Sequence, residues 1–548
     1  MIVSVIRQML PRLVIAIGLL FFLVGCSSSD NAPKKLGEEM DSESTDSATG
    51  AENLGSYSPP HQKPGPAVDK ILFNSYHVDR APLHIQSGDM DLYLYSLKAA
   101  AAGELKKKNE IRLIEAPATT ISLILNPAPA PSGHLNPFSN KVIRQAVRYL
   151  VDRQYILEDV YQGNALPMET HLSSSDYDYL TVYDQTRALG VSYDPERGRE
   201  IIRSEMLKMG ANLVDDVWQF NRAPVRLKFI IRVEDERRDI GDLIRVELEK
   251  AGFLVSSSYQ QFASAVLSVY STDPQAFEWH LYTEGWGRSS PQRYDFATVN
   301  SMAAPWMGNM PGWREIGFWQ YDHEELDNLG KRLFTGDFQG VEERDEIYRQ
   351  MVALSSGEAV RIGIASVMNS FSVNPGVRGI TEDVIGGPRG PWTMREAYLE
   401  GANELKVGNL WVWTERTVWN PVGGFGDVYS NDIFQHLYDP PMWNHPFTGL
   451  PIPFRSSYQV ETAGPDATLV VPEEAVIWNA SDNRWVPVGP GIHSVSKVTF
   501  DYSRYFDANW HHGQPITMAD VIYAIVQKHE ITNDSDKSRI EFAIGATA

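Results

Sequence analysis

Between Val68 and about Ile364 two periodicities alternate along the chain, and this constrains the fold more than any other feature. VDKILFNSY alternates apolar and polar residues and reads as a strand. RAPLHIQSGDMDLYLYSL predicts a helix ending near Ser87–Gly88 and a strand from Met90. IRLIEAPATTISLILNPA predicts two further strands. NKVIRQAVRYLVDRQYILEDVYQG then switches to helical spacing, with Val142, Ile143, Ala146, Val147 and Leu150 on one face and Gly163 as a stop. PERGREIIRSEMLKMG reads as a helix, VRLKFIIRV as a strand, RRDIGDLIRVELEKAGF as a helix and FLVSSSYQ as a strand. A chain that alternates strand and helix buries both by layering helices on a sheet, so the expected class is α/β. No short-period internal repeat competes with this reading.

With 548 residues the chain is long enough for several domains or one large multi-lobed one. Its formal net charge of -21 repels phosphate backbones and sets nucleic acid aside as a partner. The N-terminus adds an address. MIVSVIRQMLPRLVIAIGLLFFLVGC places Arg7 and Arg12 before the apolar run Leu13–Gly25, which is short for a membrane span and fits a secretory signal over residues 1–25. The run ends at Cys26, the sole cysteine. Leu23-Val24-Gly25-Cys26 resembles a bacterial lipobox, which implies cleavage before Cys26 and a lipid on its thiol. A lone cysteine also rules out an internal disulfide. Residues 26–66 are rich in Ser, Gly, Pro and acidic groups, bury too little surface to fold, and are expected to tether a domain to the membrane.

Several stretches carry a family resemblance. Asn126, Pro137-Phe138, Arg144-Gln145-Ala146 and Asp152-Arg153 reproduce an Asn on a strand, a Pro-Phe pair and an Arg-Gln-Ala helix ending in Asp-Arg. SGDMD, Ser87 to Asp91, precedes them, and YDPERGREIIRSEMLKMG, WHLYTEGWGRSS and HEELDNLGKRL follow, all in matching order. Together they resemble the extracytoplasmic substrate-binding proteins of peptide and nickel ABC importers (family 5). The resemblance implies a two-lobed periplasmic-binding-protein-like fold with mixed sheets.

The order of the pieces is unusual. NLWVWTERTVWNPVGGFGDVYSNDIFQHLYDP looks like the family's opening, and SKVTFDYSRYFDANWHHGQPITMADVIYAI like its next strand and helix, with Gly513, Pro515, Thr517, Asp520 and Val521 as the matching residues. The expectation is a circular permutation: the family's second lobe over residues 67–365, a joint over 366–408, and the first lobe over 409–548. The joint is expected to be loop-like through PGVRGITEDVIGGPRGPW and helical through TMREAYLEGANEL. The family needs more chain after the Asp520-Val521 helix, so the first lobe is expected to be partial and the sequence a fragment. Permutation is physically cheap where termini lie close together on the surface.

The resemblance also implies a ligand cleft between the lobes, closed by a hinge. In its peptide-binding branch an acidic residue shortly after Gly-Trp pairs with the ligand's α-amino group. Here Trp286 is followed by Gly287, Arg288 and Ser289, and Ser289 stands where the acid belongs. The charge-assisted partner of a peptide N-terminus is therefore missing. Arg288 either meets an anionic ligand group or is solvated or paired at the surface. Trp411, Trp413 and Trp419 fall on the expected opening strand and loop, with Trp411 and Trp413 on one face, and are candidates for an aromatic wall. At least one of the pair is expected to pack in the core. Asn126 joins Trp286, Arg288, Ser289 and these tryptophans as a candidate ligand residue.

His511-His512 invites a metal reading, but adjacent histidines diverge in extended chain and no HExxH accompanies them. Turn or capping roles fit better, and Asp520 reads as a structural helix residue. No nucleophile elbow or phosphate loop occurs. The expected function is a lipid-anchored, extracytoplasmic, monomeric receptor. It would capture a peptide or similar small solute without cofactor or chemistry and pass it to an ABC permease. The alternatives are a lipoprotein hydrolase using a carboxylate pair, or a solute sensor with the same fold.

Overall fold

A computed structural model describes residues 65–108, 110–412, 419–420, 424–425, 427–464 and 466–541. The signal, Cys26 and almost all of the tether lie outside these residues, as does Trp413. Nine strands build one curled mixed sheet: β1 (Lys70–Ser75), β2 (Leu92–Tyr93), β3 (Arg112–Leu125), β4 (Ala165–Pro167), β5 (Arg226–Arg232), β6 (Leu254–Gln260), β7 (Leu281–Gly287), β8 (Arg361–Val373) and β9 (Glu404–Asn409). The spatial order is β1-β9-β2-β8-β3-β7-β5-β6, with β4 paired to β8. β1 and β2 flank β9 in parallel, β5, β6 and β7 are parallel to one another, and β3 and β8 run antiparallel to their neighbours in the centre.

The helices used below are α1 (Lys141–Val147), α2 (Pro195–Lys208), α3 (Arg237–Lys250), α4 (Phe262–Tyr270), α5 (Glu324–Thr335), α6 (Gly340–Glu358), α7 (Val428–Phe434) and α8 (Met518–Asn533). Their apolar faces account for the core. Ile143, Ala146 and Val147 of α1, Ile202 and Met206 of α2, and Ile240, Ile244 and Leu248 of α3 pack with Leu123, Leu227, Phe229, Ile231 and Leu281 of the sheet. A second cluster, with Leu92, Ile114, Phe371, Leu405 and Val407, covers the other end of the sheet. At roughly 25 cal/mol per Å² of apolar surface buried, such faces are the main reason the helices form at all. The α/β class and mixed sheet agree with the sequence reading. Among the described residues no helix is long and apolar enough to cross a membrane.

Five local expectations differ. The two strands expected around Pro117 are one, β3, fourteen residues long. Proline has no N–H to give the ladder, and β8 accommodates it with a register shift between Val367, opposite Thr119, and Asn369, opposite Ala116. The long helix expected from Asn140 to Gly163 breaks after α1 into a 3₁₀ turn (Arg148–Leu150), and the Asp152 carboxylate starts a new turn by accepting from the Tyr155 N–H at 3.0 Å. The helix expected through TMREAYLEGANEL covers only Thr393–Glu396, because Tyr398–Leu399 pairs with Val377–Arg378 and Leu405 and Val407 face the core from β9. The expected opening strand accordingly lies earlier, ending at Asn409 rather than running through Trp411. The 365/366 boundary drawn from sequence falls inside β8, a continuous strand.

The C-terminal segment is built of small units. Ser457–Thr462 pairs with Ser496–Asp501, Val476–Asn479 pairs with Arg484–Pro487, and Trp478 Nε1 donates to Glu530 of α8 at 2.7 Å. Thr517 and Asp520 form a reciprocal cap at the start of α8, the Thr517 N–H donating to Asp520 Oδ2 at 2.7 Å. His512 Nδ1 accepts from the Gln514 N–H at 3.3 Å in a turn closed by Gly513 N–H to Trp510 O at 2.7 Å. This is a turn role of the kind its sequence suggested.

Candidate functional site

The most constrained part of the molecule is the C-terminal end of β7. Its Glu284 is 1% exposed. Burial alone would raise this carboxyl, but the Arg361 guanidinium, at 2.6 and 3.1 Å, outweighs burial and holds it below the usual range. Ser122 Oγ and Tyr270 Oη also donate to it, at 2.9 and 3.0 Å. Arg361 in turn lies over the ring of Trp286 at 5.6 Å, which fixes that half-buried indole beside the strand end.

Segments far apart in sequence converge on the next three residues. At Gly287 a Cβ would come within 2.7 Å of Arg389 Nη2 and 2.8 Å of Val428 Cγ2, so a side chain fits there only if those two side chains give way. Arg288 pairs with the Asp176 carboxylate and donates its N–H to Ala118 O at 2.8 Å. That places it in a partly buried ion pair, the second of the two readings its sequence allowed. Ser289 is half-buried, and the backbone of Gly386 packs directly on it. A hairpin, Met442–Asn444 with Pro451–Pro453, straps over the following residues. Asn444 Nδ2 donates to Pro291 O at 3.0 Å, the Arg293 N–H to Gly449 O at 3.1 Å, and Tyr177 Oη to Phe447 O.

Beneath this seam Arg389 donates to Asp432 of α7 at 3.4 Å, and Asn409, the last residue of β9, donates to the same carboxylate at 3.0 Å. The seam thus joins the end of β7 to the end of β9. Asp383, 2% exposed, accepts from the Ile385 and Gly386 N–H groups at 2.8 Å each through Oδ1, while its buried Oδ2 has no partner among the described residues. Burial pushes its carboxyl up to about 6.

A second cluster follows the C-terminal end of β5, where parallel strands present ligands in open α/β sheets. Arg237 clasps Asp235 with bonds of 2.7 and 2.6 Å, and Tyr95 Oη adds a third at 2.9 Å. Burial opposes ionisation of Asp235, but Arg237 outweighs it and keeps the carboxyl well below the usual range. Arg232 pairs with Glu234 at 2.8 Å and lies 5.0 Å above the ring of Phe262. The ring of Tyr429 of α7 lies tilted 6.3 Å from Tyr95 and edge-to-face 5.3 Å from Phe262. The sequence reading passed over this cluster. Its signal was the charged run RVEDERR directly after a strand, which a surface face produces equally well.

The candidate residues therefore separate. Trp286, Arg288 and Ser289 share the seam, and Trp411 sits half-buried just past β9. Trp419 pairs through its backbone with Phe425, and its side chain lies outside the described residues, as does all of Trp413. Asn126 does not line the seam: it is 0% exposed and donates to Pro274 O and Trp279 O at 2.8 and 3.0 Å, so its polar atoms are spent within the fold. Among the described residues no group of three or more His, Cys, Asp or Glu is placed to hold a metal.

Residues 56–304 match the model of bacterial extracellular solute-binding proteins, family 5, middle segment. Heme-binding protein A of Haemophilus influenzae is 21% identical over 308 residues, 55% of this chain and 49% of that protein. The dipeptide-binding protein of Escherichia coli is 22% identical over 326 residues, 59% of this chain and 54% of that protein. The chain thus spans about half the length of these curated relatives. Among solved structures, NikZ from Campylobacter jejuni in complex with Ni(L-His) aligns at 14% identity with a TM-score of 0.46, covering 59% of this chain and 60% of that one. The oligopeptide-binding protein AppA from Bacillus subtilis, in complex with a nonapeptide, aligns at 16% with a TM-score of 0.45, covering 59% and 58%. Through the segment at residues 56–304, the chain is similar to the bacterial extracellular solute-binding proteins of family 5.

Proposed function

We propose that this protein is the solute receptor of an ABC importer, held to the outer face of a membrane by a lipid on Cys26. It captures a peptide or similar small solute in the seam around Gly287–Ser289 and delivers it to a membrane permease. The observation that carries this reading is the convergence on the end of β7 of two distant segments, 383–390 and 428–453, within a chain that matches the family model. A seam tied by a few ion pairs and one hairpin strap is the kind of contact that hinge opening breaks and ligand binding restores. The names of the relatives, which bind heme, dipeptide, nickel–histidine and nonapeptide, support the solute class without choosing within it.

The permuted order belongs to the same proposal. It is supported by β9, which inserts in parallel between β1 and β2 and so carries the chain from the stretch read as the other lobe directly to Asn409, where the stretch read as a family opening begins. Arg288 is paired with Asp176 through Nη2, and its buried Nη1, which has no partner among the described residues, is the nitrogen left for an anionic ligand group.

The test is a thermal-shift screen of the purified chain against di- to oligopeptides, nickel–histidine, heme and oligosaccharides. A ligand that binds only the native state raises Tm by mass action. A shift with peptides is the expected result. A shift confined to another class moves the substrate and keeps the receptor reading; a flat screen, or steady turnover of any of these compounds, overturns it.

A further inference from the structure

Two buried guanidinium groups, Arg148 and Arg153, act on each other in the interior, and neither forms an ion pair among the described residues. Arg148, on the 3₁₀ turn after α1, is 6% exposed, and Arg153 is 7% exposed. Arg153 spends its nitrogens on carbonyl oxygens, Nε on Met168 at 2.9 Å and Nη2 on Gly363 at 2.7 Å, and Nη1 reaches Arg148 O at 3.4 Å. Arg148 has less. Its Nε is buried with no partner, and its side chain forms no ion pair among the described residues. Burial holds it down to about 10, which leaves it charged at neutral pH. Of the two carboxylates that line the same space, Glu358 is occupied by Arg144 at 2.9 Å, and Glu169 forms no ion pair among the described residues. A buried charge without a counterion is strongly unfavourable, so this one calls for an anion from outside the chain.

The structure provides the space. Arg148 lines a partly open cavity of about 30 Å³ with Thr170, His171 and Ser356. Thr170 Oγ1 accepts from the Leu172 N–H at 3.2 Å, which leaves its own hydrogen to donate, and Ser356 is 4% exposed. A single water needs roughly 10–15 Å³ of such space. The cavity therefore takes one or two waters or one monatomic anion, and is too small for a carboxylate ligand or a phosphate. We infer that it is a halide site, with chloride held by the Arg148 guanidinium and the hydroxyls of Thr170 and Ser356. The site is separate from the seam and stands whether or not the receptor reading does.

The test is calorimetric unfolding of the full chain in sodium chloride against sodium gluconate at equal ionic strength. Chloride should raise Tm saturably and gluconate should not. Arg148→Met, which removes the charge and keeps an apolar stem, should unfold in gluconate at or above the wild-type Tm and lose the chloride response. Equal wild-type Tm in the two salts overturns the inference, and so does a chloride response that survives in Arg148→Met. Glu169, on the cavity rim and in no ion pair among the described residues, is the internal competitor. If Glu169→Gln lowers Tm in gluconate and creates a chloride response absent from wild type, the counterion is Glu169 and the inference fails. Bromide-soaked wild-type crystals give an independent reading: an anomalous peak beside Arg148 supports the site, and density without one shows water only and overturns it.

Discussion

Arg389 and Asp432 form a buried ion pair at 3.4 Å, directly under the glycine that ends β7. The pair links the 383–390 loop to α7, and Asn409 ties the same carboxylate to β9. Burial raises the Asp432 carboxyl and Arg389 opposes that, so the pair is held rather than strong. Arg389→Ala should therefore destabilise by about 3 kcal/mol, since removing one partner strands a buried charge. Arg389→Met combined with Asp432→Leu should recover most of that loss. Urea unfolding of the two single variants and the double one, read as a cycle, checks both statements.

Gly287→Ala should be costly for a different reason. The added methyl meets Arg389 Nη2 at 2.7 Å and Val428 Cγ2 at 2.8 Å. Either the guanidinium shifts off Asp432 or the seam opens, for a loss of about 1–3 kcal/mol. If the seam is the ligand site, the variant should also bind the ligand found in the screen at least tenfold more weakly, measured by titration calorimetry.

Gly449, at the tip of the strap, has φ 64° and packs its Cα against the Arg293 backbone, where a Cβ would stand 2.7 Å from Arg293 N. Gly449→Val should release the hairpin without unfolding the sheet. Hydrogen exchange at the Arg293 amide, which donates to Gly449 O, should accelerate at least tenfold while the amides of β3 keep their protection.

Three histidines make the fold sensitive to acid. Burial holds His171 and His280 down to about 4 and His436 to about 3, against about 6.5 in an unfolded chain. The unfolded state therefore binds these protons first, and stability falls as pH drops from about 6.5 through 4. A tenfold difference in proton affinity between the folded and unfolded chain is worth about 1.4 kcal/mol, so the three together remove several kcal/mol. Urea unfolding at a series of pH values should show the decline, and His280→Gln should flatten it.

Asp383 works in the opposite direction. Its folded value of about 6 lies above the ordinary 3.8, so the folded state binds the proton more tightly. Its contribution is intact below about pH 4 and is lost as pH rises through 6. Asp383→Asn keeps an oxygen for the Ile385 and Gly386 N–H groups and removes the charge. The variant should be more stable than wild type at pH 7, by up to about 3 kcal/mol, and indistinguishable at pH 4. Urea unfolding of both proteins at the two pH values checks this.

Much of this was readable from the chain. The helices over Pro195–Lys208 and Arg237–Lys250 and the strands over Arg226–Arg232 and Leu254–Gln260 lie where periodicity put them, because each carries its own apolar face and its own stop. The Thr517–Asp520 cap is legible for the same reason, since one short stretch contains the whole interaction. Failures occurred where a partner distant in sequence decides. Nothing near Pro117 announces that β8 will bulge to accept it. Nothing near Glu404 announces that β1, more than 300 residues earlier, will pair with it and turn an expected helix into a strand.

The seam divides in the same way. Local sequence marked Trp286, Arg288 and Ser289, because a strand ending in Gly-Trp is a local pattern. It could not mark Asp176, Arg389, Asp432 or Asp235, because an isolated Asp or Arg looks alike on a solvated face and in a buried pair. Their roles arise from burial, which removes water and makes each charge depend on the one partner the fold brings within reach. By itself the sequence determined the α/β class, the addresses of most helices and strands, and the family kinship of residues 56–304, all set by short-range pattern and order. The tertiary structure alone decided which charges meet, which glycines admit no side chain, and which guanidinium is left facing a cavity, because those depend on distances between segments that the chain order does not contain.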